Sequence, residues 1–165
     1  MIMGKFQDSL KEGHHKKFAD MCGNWKGTSR TWFEPGILAD ESPVKGKIYQ
    51  ALGGLFVIHE YTASLQGKEH SGIMIIGASF PEEKFQNAWI DSFHNGTSIL
   101  FSEGAMEGDI YSVGGTYAAG SPDVRWGWRT TLEQPDADTL VVTMYNIPPG
   151  EQEAKAVEFT YFRVK

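Results

Sequence analysis

The residues with most chemical potential are three carboxylates and two arginines set among apolar neighbours: Glu60, Asp91, Glu158, Arg125 and Arg129. Each falls in an alternating apolar and polar stretch rather than in a charged turn. Any of them that points inward must therefore be ion-paired or hydrogen-bonded to be tolerated. Three kinds of chemistry fit such a set. It could form an internal ion-pair network that shapes the interior, or Arg125 or Arg129 could take an acidic ligand group in the guanidinium fork. It could also perform acid–base work, with Asp91 or Glu60 as general base and an arginine stabilising developing negative charge. Trp25, Trp32, Trp89, Trp126, Trp128, Phe56 and Tyr145 would supply apolar walls, although large aromatics in strands are mostly ordinary core.

Other chemistries are poorly served. His14 and His15 are adjacent on an expected helix and point about 100° apart, whereas two ligands on one helical face need a spacing of three or four. No metal site is expected from them. Cys22 is the only cysteine, so an internal disulfide is excluded, and no catalytic signature surrounds it. Phosphate-cradling, dinucleotide-binding and Gly-x-Ser-x-Gly motifs are absent, and the pairs at Gly53-Gly54 and Gly114-Gly115 read as turn or bulge chemistry. No catalytic residue is assigned on sequence grounds.

The elements that would position these side chains follow from turn signals. Among 165 residues there are 19 glycines, well above the ~7% background, and they accompany 21 aromatics. Ser9 to Met21 predicts a helix, with Leu10, His14, Phe18 and Met21 at helical spacing, a capping box at Ser9 and Glu12, and Gly23 as its stop. From residue 24 to 164 the period is two. Expected strands are 24–33, 44–51, 55–65, 70–78, 85–93, 98–103, 109–117, 125–133, 139–145 and 154–164, separated by turn formers such as Pro35-Gly36, Gln66-Gly67 and Asn95-Gly96. Links this short join only antiparallel neighbours. A meander of about ten strands removes its edges by closing, so the expected fold is an all-β, up-and-down antiparallel barrel with a short N-terminal helix, in one domain over residues 1–165. Around eight strands the interior just holds side chains or one small ligand, so ten imply a cavity.

Periodicity leaves the inward faces open. Arg125, Gly127, Arg129 and Thr131 alternate with Trp126, Trp128, Thr130 and Leu132, while Trp89 and Asp91 share a face.

Gly23-Asn24-Trp25-Lys26-Gly27, after a helix and opening the first strand, resembles the Gly-x-Trp start of calycin barrels such as lipocalins. That resemblance implies that Trp25 plugs the closed barrel end and that Arg163, from the last strand, stacks over it as a structural pair. More of the chain is similar to the bacterial family called domain of unknown function 1579. The similarity runs through His15 and Phe18, Pro35-Gly36, Gly53-Gly54-Leu55-Phe56-Val57-Ile58-His59-Glu60-Tyr61, Gly67, Gly72, Gly77, Trp89-Ile90-Asp91-Ser92, Glu158, Tyr161 and Arg163. It departs at Leu55, where an arginine is expected, and at His14, where a glutamate is expected. The family carries no established activity to transfer. The haem-binding nitrobindin barrels are similar in strand count and in the Gly-x-Trp opening, but their iron ligand is a late histidine and none follows His94 here. Haem is therefore disfavoured, with His59, His70 or His94 the residues that could substitute as ligand, and no other cofactor is expected.

The reading that follows is a calycin-like barrel binding one small, partly apolar molecule. Its anionic or hydrogen-bonding head would lie near Arg125, Arg129 and Glu60 and its body against Trp89, with Asp91, Phe56, His59 and Tyr145 completing the site. The alternatives are a small barrel enzyme using Asp91 or Glu60, and a structural or dimerising domain filled by its own side chains. A net charge of −6 argues against nucleic acid or an anionic membrane as partner. The longest apolar run, residues 72–78, is far short of the ~20 residues of a membrane span. With no secretion signal at residues 1–5, a cytoplasmic location is expected. The alternating aromatic face at Trp126 and Trp128 would also suit a homodimer.

Overall fold

A computed structural model describes residues 2–165. Two helices, α1 (Ile2–Glu12) and α2 (His14–Met21), precede ten strands. These are β1 (Gly23–Glu34), β2 (Ile37–Ala51), β3 (Phe56–Leu65), β4 (Lys68–Ser79), β5 (Lys84–Asp91), β6 (Leu100–Ala105), β7 (Tyr111–Ala118), β8 (Arg125–Asp136), β9 (Thr139–Ile147) and β10 (Ala154–Arg163). Each strand pairs antiparallel with its neighbours in sequence, and β10 returns to β1, so the sheet closes into a barrel. Closure gives every strand two partners. The turns follow their chemistry: between β3 and β4, Gln66 and Gly67 take φ of 50° and 78°, the left-handed pair of a two-residue hairpin turn. Among the described residues, no helix is long and apolar enough to cross a membrane.

Two expectations need correction. The single helix from Ser9 is two helices broken at Gly13, where a side chain would collide with Ser9 Oγ. Ser9 does not cap a helix; it lies inside α1, and its hydroxyl is hydrogen-bonded to the ring of buried His15 at 2.9 Å and accepts the His15 backbone N–H. The second strand begins at Ile37, seven residues earlier than its alternation suggests, because residues 37–43 are largely exposed on both faces. They form a ribbon with the end of β1 that carries little inside/outside pattern, and its register shifts between Thr31 and Glu34.

Buried side chains occupy the middle of the barrel and its helix-covered end, where a cavity of about 320 Å³ lies between α2 and the strands. Phe18 and Met21 of α2 pack with Trp25, Phe85, Tyr111 and Leu132 as a plug. Trp25 is 1% exposed, and its indole N–H donates to the Met21 carbonyl at 2.9 Å. The Arg163 guanidinium lies 4.3 Å from the centre of the Trp25 ring and donates to the carbonyls of Asp20, Cys22 and Ala137 at 2.7–2.8 Å. Carbonyls at the end of a helix have no partner of their own; here an arginine and a tryptophan from the barrel satisfy them.

Candidate functional site

Because successive strands run in opposite directions, one barrel end collects the last residues of odd strands and the first residues of even ones. The helices cover the other end. At the uncovered end is a cavity of about 260 Å³. Trp89 of β5 and Trp128 of β8 stack at 5.2 Å with 21° between their planes, and the ring of His94 lies against both. Across the cavity the Tyr117 hydroxyl donates to Asn146 Oδ1 at 2.7 Å, while the half-exposed rings of Phe33 and Phe93 stand at its border. The buried indole N–H of Trp128 has no hydrogen-bond partner among the described residues. A second groove of about 200 Å³ shares His94, Asn95, Leu100 and Tyr117 with this cavity and extends to Arg125.

His94 is held from below. Asp91 Oδ1 accepts the backbone N–H groups of Phe93 and His94, at 2.7 and 2.6 Å, and the His94 ring Nδ1 lies 3.1 Å from it. The other carboxylate oxygen accepts the Tyr61 hydroxyl, which in turn accepts the Trp89 indole N–H at 2.9 Å. Burial by itself would raise the Asp91 pKa. The hydrogen bonds and charge of His94 together with the Tyr61 hydroxyl outweigh burial and bring it to about 2. Asp91 is thus a fixed anion that sets the loop after β5, and Asn95 fastens that loop again by donating to the Trp89 carbonyl at 3.0 Å. Gly72 faces Asp91 across the β4–β5 pair, and a side chain there would occupy the space of the Tyr61 phenol.

Deeper in the barrel, His59 is fully buried, hydrogen-bonded through Nε2 to the Tyr161 hydroxyl at 2.9 Å, and brought by burial to a pKa of about 3. It is a neutral core residue.

The structure brings together only part of the set expected from sequence. Trp89, Asp91 and His59 point inward, and Trp89 lines the cavity. Glu60 and Phe56 point outward, because on β3 the inward positions are Val57, His59, Tyr61 and Ala63. Glu60 accepts the Tyr49 hydroxyl at 2.8 Å on the outer surface. Arg129 is outside as well: it forms a two-pronged pair with Glu153 at 2.6 and 2.8 Å and lies 4.2 Å over the ring of Tyr145. Glu158 pairs with Lys155 on the outer wall. The physical reason is uniform: on β8 the barrel can bury either indoles or guanidiniums, and only the indoles enter without an ionic partner. An internal ion-pair network built on these residues therefore does not form. Arg125, also outward, reaches the groove beside the cavity while donating to the Thr116 carbonyl and hydroxyl at 2.9 Å.

Sequence reasoning did not find Tyr61, Tyr117, Asn146 or the pairing of His94 with Asp91. Tyr61 was within reach, since it shares the parity of Val57 and His59 on β3. His94 lies past the strand end, where alternation carries no information.

Comparison with known proteins gives one family match, covering residues 11–163, to "Protein of unknown function (DUF1579)". The chain belongs to this family. The DUF1579 match spans the whole barrel, from the end of α1 to Arg163. Among solved structures, the crystal structure of Rv2717c from M. tuberculosis is similar in fold, at 14% identity and a TM-score of 0.61, over 91% of this chain and 96% of that one. No curated protein matches the sequence.

Proposed function

We propose that the barrel binds one small, partly apolar, ring-bearing molecule in the cavity at its open end. A hydrogen-bond acceptor or acidic group on that molecule would meet the Trp128 indole N–H or the groove of Arg125. The observation that carries this reading is the stacked Trp89–Trp128 wall facing a cavity into which a buried, unpartnered indole N–H also opens. A buried polar group without a partner is costly, and a ligand acceptor would relieve that cost. At about 260 Å³ the cavity lies just under the usual range for drug-sized ligands, roughly 300–1,000 Å³, so the occupant has one or two rings. Asp91 does not suit the general-base reading: with its pKa at about 2 it is a weak base, committed to orienting His94.

Native mass spectrometry of the purified protein, followed by titration with benzoate and indole-3-carboxylate read by tryptophan fluorescence, tests the proposal. Saturable quenching that Trp128→Leu weakens at least tenfold is expected. If no molecule is retained and neither compound quenches saturably at millimolar concentration, the reading fails.

A further inference from the structure

Beside the cavity, two histidines far from one another in function of sequence period are brought to one carboxylate. His70, third residue of β4, and Asp91, last residue of β5, lie at the same end of an antiparallel hairpin, and His94 follows in the next loop. One ring nitrogen from each histidine and one oxygen of Asp91 all lie within 4.8 Å of one another. We propose that His70, Asp91 and His94 form a binding site for one divalent first-row transition-metal ion of the zinc class.

Three further observations support the assignment. His70 is 8% exposed, and its Nδ1 has no hydrogen-bond partner among the described residues. A metal ligand must be a neutral imidazole with a free nitrogen lone pair, and this ring nitrogen is free to serve as one. Second, the carboxylate is oriented by groups around it, the Tyr61 hydroxyl and two backbone N–H groups, as outer partners commonly orient a metal ligand. Third, the ring of Phe93 packs against His70 at 5.6 Å and against His94 at 4.8 Å, so one aromatic side chain holds both imidazoles in place.

Two imidazoles and one carboxylate select the ion class. Calcium and magnesium prefer oxygen cages, while zinc and its neighbours take mixed nitrogen and oxygen sets, and three protein ligands leave a coordination position for a further molecule. His94 is the wall shared with the aromatic cavity. The metal site stands independently of any organic occupant, so its test uses metal alone.

The full chain is dialysed against EDTA and titrated with Zn²⁺ by calorimetry, with Co²⁺ as a coloured substitute. One equivalent should bind with micromolar or tighter Kd, raise Tm and give Co²⁺ visible bands. His70→Gln and His94→Gln should each weaken binding at least tenfold, while His14→Gln, on α2 at the other barrel end, leaves it unchanged. X-ray absorption of the zinc-loaded wild-type protein counts its imidazole ligands even if a variant does not fold; two are expected. Absence of stoichiometric binding, full binding by both folded variants, or fewer than two imidazoles around zinc overturns the proposal.

Discussion

The two ends of this barrel solve opposite problems with the same kinds of residue. At the helix-covered end an arginine and a tryptophan are spent on each other and on the carbonyls that close α2, so that Trp25, Arg163 and the Asp20–Cys22 backbone have no unmet hydrogen-bonding demand there. At the uncovered end, Trp89 and Trp128 stack on each other, yet the Trp128 N–H has no partner and His70 has an unpartnered nitrogen. A protein interior normally satisfies nearly all such groups. The Trp25–Arg163 corner is therefore satisfied from within, whereas the aromatic wall at the open end keeps an unshared donor.

The comparison can be broken by substitution. Trp25→Ala should have the largest effect, destabilising the barrel by about 3–5 kcal/mol in chemical denaturation, because it empties the closed end. If it costs no more than a surface change, that end is not the anchor. Asp91→Ala should cost about 1–3 kcal/mol by leaving the Tyr61 hydroxyl and two N–H groups without an acceptor. The loop after β5 should then exchange its amide hydrogens faster, while amides of β1 and β10 near Trp25 stay protected.

Acid sharpens the contrast between surface and interior. Burial brings His59 to about 3 in the folded barrel against the ordinary 6.5, so the unfolded chain binds the proton more readily and stability is lost as pH falls below 6.5 toward 3. Asp91, at about 2 against 3.8, adds loss in the same direction below pH 3.8. The unfolding free energy of the wild type should therefore drop between pH 6 and pH 4, with His59 contributing a slope of up to about 1.4 kcal/mol per pH unit and His14, His15 and His70, whose pKa values burial also lowers, adding to it. His59→Gln, which removes that proton, should flatten this limb.

The smallest effect is expected outside the barrel. Arg129→Met removes only the surface pair with Glu153 and the contact with Tyr145, so the loss should stay below about 1 kcal/mol. Quenching by benzoate should be unchanged, and a strong loss of binding in this variant would show that the ligand lies on the outer wall.

Much of this architecture was readable because turn residues and period-two alternation report local backbone geometry. The β3–β4 hairpin is announced by Gln66-Gly67, and the alternation of β5 places Trp89 with Asp91. What could not be read is which parity faces inward: Arg129 and Trp128 alternate on β8 with equal regularity, and only closure of the sheet decides between them. That His70 and His94 meet at Asp91 is hidden from the sequence for a similar reason. Their meeting depends on the register across β4 and β5, which pairs Gly72 with Asp91 and is fixed by the turn at residues 80–83. The break at Gly13 was missed because helical spacing continues through it on the sequence.

The pairing of β10 with β1 also bears on how the molecule is made. Until β10 has been synthesised, β1 has a bare edge along seven residue pairs, from Trp25 to Thr31, and the Asp20 and Cys22 carbonyls wait for a guanidinium that is the last piece of the seam to arrive. The growing chain can form hairpins one after another, but it cannot become a tube until its tenth strand leaves the ribosome, which makes that interval the one in which it is most open to pairing with a stranger.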